Sequence, residues 1–114
     1  MLMRYFIYFR NHEYAKIIAD KNPNSFIKKT ESEILGVDPV DHDVFIIDAH
    51  QGGDMSDLNG LNVAYKLYNS IRKVNAKIRI LTWFTKEQIV RTNQFAKELV
   101  SNNKIEFFQL PKIF

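Results

Sequence analysis

The chain has no cysteine among its 114 residues. Disulfides, zinc–thiolate centres and thiol nucleophiles are therefore excluded, which fits a cytoplasmic protein. Nor is there an apolar run approaching the roughly 20 residues needed to cross a bilayer. The opening Met1–Phe9 is apolar but lacks the charged start and long unbroken core of a leader, so it reads as a first strand. Charge of one sign is also scarce. The formal net charge is +3, and the densest basic groups, Lys28-Lys29 and Arg72-Lys73, are too short for a nucleic-acid tail. Four glycines and three prolines form no linker, and the chain shows neither an internal repeat nor a low-complexity run. One domain spanning 1–114 is expected, either whole or excised from a longer protein.

What is present is apolar and aromatic. Hydrophobic residues make up 46% and charged residues 25%, a balance that supports a core and argues against disorder. The stretch around which the rest is organised is Val44-Phe45-Ile46-Ile47-Asp48-Ala49-His50. Four apolar residues running into an acid, followed by the polar Gln51–Asp57, read as a strand buried on both faces of a parallel sheet. Open α/β sheets react and bind at the carboxyl ends of their strands, which is where Asp48 falls.

The flanking chain supplies the alternation such a sheet needs. Arg4–Phe9 reads as a strand, and Asn11 as the cap of a helix carrying Tyr14, Ile17 and Ile18 that closes at Pro23. Ser25–Lys28 is a weaker strand. Thr30 and Glu33 make a capping box for a helix of little more than one turn, ending at Gly36. After the polar loop comes the clearest helix, with Leu61, Ala64, Leu67, Tyr68 and Ile71 on one stripe, capped by Asp57 or Asn59 and followed by Arg72 and Lys73. Lys77–Thr82 is the fourth strand. Thr85 and Gln88 form a second capping box, opening a helix that carries Ile89, Val90, Ala96, Leu99 and Val100, and Ile105–Leu110 is the last strand. Five strands alternating with four helices predict right-handed crossovers and a parallel sheet covered on both faces.

Polar side chains should gather at the carboxyl edge of that sheet. They are Asn11, His12 and Glu13 after the first strand, Asp48 and His50 after the third, Thr82 after the fourth and Lys112 after the fifth, with Asp54 and Asp57 on the adjoining loop. A carboxylate there is a nucleophile toward phosphorus when a hydroxyl and an ammonium stabilise the transferred oxygens. His12, His50, Asp48, Asp54 and Asp57 also have ligand chemistry for a metal, although their spacing matches no ligand motif. Gly52-Gly53 reads as loop flexibility rather than as a phosphate cradle.

Over almost its whole length the chain resembles a response-regulator receiver domain. Asp43-Val44-Phe45-Ile46-Ile47-Asp48 resembles the phosphoacceptor strand, and Asn59-Gly60-Leu61 the start of the following helix. Ile78-Arg79-Ile80-Leu81-Thr82 resembles the strand ending in the switch hydroxyl, and Phe107–Lys112 the region of the conserved lysine. The resemblance implies a flavodoxin-like, three-layer sandwich with a five-stranded parallel sheet. It also implies Asp48 as phosphoacceptor with Mg²⁺, Thr82 as switch and Lys112 as phosphate contact. Four features depart from the pattern, one of them the loop from Asp48 to Gly60, which is several residues longer than the family's usual spacing. The family places a pair of acids after the first strand, where this chain has Arg10-Asn11. Lys112 follows Pro111 instead of preceding it. The family's last helix is missing from the sequence.

The expectation is a degenerate, pseudo-receiver type of module. It is not an enzyme, is not phosphorylated efficiently and holds no cofactor. It acts by contact with a protein partner or a second copy through the helix 4/strand 5 face, with Trp83, Phe84, Phe107 and Phe108 as contact candidates and no role for nucleic acid or membrane. The alternative is a phosphorelay receiver using Asp48, with Mg²⁺ held by Asp48 together with Glu13, Asp54 or Asp57. A third reading is a small metal-dependent hydrolase using His50 and the same carboxylates.

Overall fold

The computed structural model describes residues 3–51, 57–92 and 96–110. Five strands form one parallel sheet: β1 (Tyr5–Tyr8), β2 (Ser25–Lys28), β3 (Val44–Asp48), β4 (Lys77–Thr82) and β5 (Ile105–Gln109), in the order β2-β1-β3-β4-β5. The helices are α1 (His12–Lys21), α2 (Glu31–Leu35), α3 (Asn59–Ile71), α4 (Lys86–Thr92) and α5 (Ala96–Val100). Strand order and the interleaved helices are those of the flavodoxin-like fold. The two segments α4 and α5 occupy the span read as a single helix, and residues 93–95 between them lie outside the described residues.

β3 sits between β1 and β4, and Phe45, Ile46 and Ile47 are fully buried. Alternation along the strands sorts the core into two layers. Phe6, Phe45, Ile47, Ile78, Ile80 and Ile105 face α2, α3, α4 and α5. On the other face Ile7, Phe9, Val44, Ile46 and Leu81 pack with Ala15 and Ile18 of α1. The Phe6 ring stacks between Phe26 and Phe45 at centroid distances of 5.5 and 5.2 Å, carrying one aromatic row across three strands.

Local chemistry fixes the element ends. Asn11 accepts the Tyr14 amide at 3.0 Å, and Thr30 accepts the Glu33 amide at 3.1 Å, so both act as N-caps. Thr85 and Gln88 close a reciprocal capping box at 3.2 and 2.9 Å. For α3 the expectation changes. Leu58 is the N-cap and makes no side-chain cap bond, Asn59 is already helical, and Asp57 accepts the Asn59 amide at 2.8 Å. At the other end Lys104 reaches across from the approach to β5, and its ammonium donates to the carbonyls of Ile71, Arg72 and Val74 at 3.2, 3.1 and 2.7 Å. It satisfies carbonyls left over at the end of α3, the same helix end where the charges of Arg72 and Lys73 suit the macrodipole.

At the amino-terminal end of the sheet Arg4 clamps Asp43 with two parallel bonds of 2.9 and 2.7 Å, and the Val40 amide adds a third at 2.9 Å. Asp43 is 1% exposed, so this bidentate pairing and the amide supply the bonds that its burial requires. The clamp joins the residue before β1 to the residue before β3 and helps set their register. His42, at φ 73°, makes the turn into it.

Gly60 is the point of closest approach between α3 and β3. A methyl group there would land on the Asp48 carbonyl oxygen and lie 2.7 Å from Ala49 Cα, both backbone atoms at the end of β3. Gly60→Ala is expected to lower stability in urea denaturation by about 3 kcal/mol, the upper end of overpacking costs, because a helix must lift off the sheet. An unchanged midpoint would mean that α3 does not dock this closely.

Candidate functional site

The carboxyl edge of the sheet brings together much of what the sequence suggested. Asp48 ends β3 and is half-buried, with its carboxylate accepting the His50 amide at 2.8 Å. Burial raises its pKa above the ordinary carboxylate value, and the nearby charge of Asp57 adds to the rise. The bond from the His50 amide acts the other way. Tyr14 lies close enough for its hydroxyl to be pushed up too, by burial first and then by the Asp48 carboxylate. The Tyr14 hydroxyl is buried and has no hydrogen-bond partner among the described residues.

Thr82 ends β4, the neighbouring strand, and is 1% exposed. Its hydroxyl lies 3.0 Å from His50 Nε2 and accepts the Phe84 amide at 3.1 Å. The Trp83 amide donates to the same His50 nitrogen at 3.1 Å. A backbone amide only donates, so Nε2 presents its lone pair and the ring proton is assigned to Nδ1. Nδ1 is buried without a hydrogen-bond partner among the described residues, and the ring meets Phe84 edge-on at 5.4 Å between centroids. His50, 5% exposed, is thus a strut between the loop after β3 and the loop after β4. This turns the ring inward, away from the ligand role that the hydrolase reading gave it. The sequence showed His50 beside Asp48 but carried no signal that its ring would bond across to Thr82.

Gln51 forms a second cross-strand tie. Its amide nitrogen donates to the carbonyls of Tyr8 and Asp48 at 2.7 and 2.9 Å, stitching the ends of β1 and β3. Asn11 has its oxygen committed to the α1 cap, while Arg10, His12 and Glu13 are exposed. Among the described residues no three His, Asp or Glu side chains converge as metal ligands. Asp54 and Lys112 lie outside the described residues, as do Gly52, Gly53 and Pro111.

The four aromatic contact candidates divide. Trp83 is 44% exposed. Phe84 and Phe107 are partly buried against the α3-side core, and Phe108 against the α1-side core. Val90 of α4, 38% exposed, joins Trp83 as an apolar group open to solvent, while Ile89, which the sequence pattern set on the same helix, is fully buried. Among the described residues no helix is long and apolar enough to cross a membrane.

No family model matches the chain, and no curated protein matches it. The solved structures include a similar one, the crystal structure of a response regulator from Colwellia psychrerythraea. It is 19% identical, covers 97% of this chain and 86% of its own, and superposes with a TM-score of 0.67. At that identity the likeness shows the fold, and the fold is that of a receiver domain.

Two outcomes follow from this geometry. Because the Asp48 pKa is raised on folding, its contribution to stability is fully present below the ordinary carboxylate range and is lost as pH rises through the raised value. Asp48→Asn keeps an oxygen for the His50 amide and is expected to raise the urea midpoint at pH 7, with the gain closing toward pH 3. A lower midpoint at pH 7 would show that the charge stabilises the fold. His50→Phe leaves the Trp83 amide without its acceptor and should cost about 2 kcal/mol in the same assay, with His50→Gln recovering part of the loss.

Proposed function

We propose that the chain is a receiver-like signalling module that works in the cytoplasm by protein–protein contact, and that Asp48 is a poor phosphoacceptor. The observation that carries this reading is the make-up of the carboxyl end of β1. Phosphoryl transfer to a carboxylate relies on positioning and on neutralising charge with a hard dication, which needs oxygen ligands. The residues after β1 are Arg10, a cation, and Asn11, whose side-chain oxygen already accepts the Tyr14 amide. Gln51 brings amide protons to the Tyr8 and Asp48 carbonyls at the same edge.

The anchoring of Thr82 supports the same reading. A hydroxyl that swung toward Asp48 would give up its contact with His50 and leave the buried edge of the Phe84 amide without an acceptor. For output, Trp83 and Val90 are the exposed apolar groups beside α4 and the edge strand β5, and exposed aromatics are the usual anchors of interfaces. The partner is a protein or a second copy of this chain.

A working phosphoacceptor is the second reading, favoured by the position of Asp48 and Thr82 at one edge of adjacent strands. It requires Mg²⁺ held by Asp48 with Glu13, Asp54 or Asp57. Amide spectra recorded with beryllofluoride and Mg²⁺, and with acetyl phosphate and Mg²⁺, decide between the two. The expected result is no localised change at Asp48, Thr82 or Trp83. Saturating shifts centred on those residues, abolished in Asp48→Asn, would overturn the proposal in favour of the second reading.

A further inference from the structure

The joint between β3 and α3 needs a glycine at position 60, because a side chain there would meet the backbone of Asp48 and Ala49. The residue before it is Asn59, the only asparagine of the chain that a glycine follows. That pairing has a chemistry of its own. The side-chain amide of an asparagine lies within reach of the next backbone nitrogen, and glycine places no side chain in the way. The nitrogen can close on Cγ, and water is the only co-reactant the sequence of steps requires.

The fold restrains this reaction at both partners. Gly60 is buried, and its N–H donates to the Ala49 carbonyl at 3.0 Å. Solvent base therefore does not reach the proton that must leave before the nitrogen attacks. Asn59 is exposed, but it is the first residue of α3, and its own N–H is held by Asp57 at 2.8 Å. The Leu61 amide closes the turn on the Leu58 carbonyl at 3.0 Å. The five-membered ring needs a ψ at Asn59 outside the helical range, so helix and ring exclude each other.

We propose that Asn59 is a self-modification site, gated by opening of the first turn of α3 from the end of β3. When that turn lifts, the Gly60 nitrogen loses its proton to solvent and bonds to Asn59 Cγ. The Cγ–Nδ2 bond breaks, and the side-chain nitrogen leaves as ammonia with a proton from water. Water then opens the cyclic imide. Addition at Cγ gives aspartate, and addition at the main-chain carbonyl leaves Gly60 attached through the former side chain, which is isoaspartate. Aspartate suits the positive end of α3 and lets the turn close again. Isoaspartate puts one more atom into the backbone beside the closest approach of helix and sheet, so the turn cannot return to its seat on the Asp48 carbonyl. Either product adds a negative charge at the carboxyl edge. The step is independent of whether Asp48 is ever phosphorylated.

The test incubates the intact chain at mildly basic pH, in buffer and in concentrated guanidinium chloride, and follows each asparagine by peptide mass spectrometry. In denaturant Asn59 is expected to react ahead of every other asparagine. In buffer it should react at least about tenfold more slowly, by the factor that protects the Gly60 amide from hydrogen exchange. Leu58→Ala trims a partly buried side chain beside the turn, and should speed the reaction in buffer while leaving the rate in denaturant unchanged. The separated isoaspartate form should melt below the unmodified chain. Equal rates in buffer and denaturant, another asparagine leading in denaturant, a buffer rate indifferent to Leu58→Ala, or an isoaspartate form that melts with the unmodified chain would each overturn the proposal.

Discussion

Val44, Phe45, Ile46 and Ile47 are shut off from water on both faces of the sheet, and the other layers are arranged to make that so. A strand buried on two faces needs a partner strand on each side and helices above and below. β1 and β4 supply the first, and α1 with α2 to α5 supply the second. The polar residues at the ends of the run are then held at fixed depth. Asp43 enters the fold at one end, where Arg4 neutralises it. Asp48 leaves it at the other, only half-sheltered and without a cation paired to it among the described residues.

The carboxyl edge is bonded chiefly across strands. Gln51 joins β1 to β3, and His50 joins the end of β3 to Thr82 and Trp83. Each tie uses a side chain from the loop after the central strand to satisfy groups on a neighbour, and buried polar networks of this sort rigidify what they connect. Thr82 and Asp48 are thereby linked through one residue, because His50 gives its amide to the carboxylate and its ring to the hydroxyl.

The same edge has a divided electrostatic character. Toward β4 it carries Asp48, Asp57 and the hydroxyl of Thr82. Toward β2 it carries Arg10, His12 and Lys29. Arg10, after β1, lines a cleft together with His12, Lys29 and Gln51.

The fold was legible because its signals are local. Apolar runs of strand length, capping residues at Asn11, Thr30 and Thr85, and a 3.6-residue stripe from Leu61 to Ile71 each report on a few neighbouring residues, and their alternation implies a parallel sheet, while the flavodoxin-like arrangement of its strands was implied by the family resemblance. Asp48 and Thr82 were legible for the same reason, as the last residues of strands. What the chain order could not express is contact between distant segments. The bond from His50 to Thr82 spans 32 residues, the tie from Gln51 to Tyr8 spans 43, and the Lys104 cap on α3 spans about 30. Nor could it say which aromatics stay open to water, since Trp83 and Phe84 are adjacent in sequence and differ only in which side of the turn the core occupies. Short-range propensity determined the elements and their order. Only packing them together decided which donors and acceptors meet, because a hydrogen bond depends on separation in space and not along the chain.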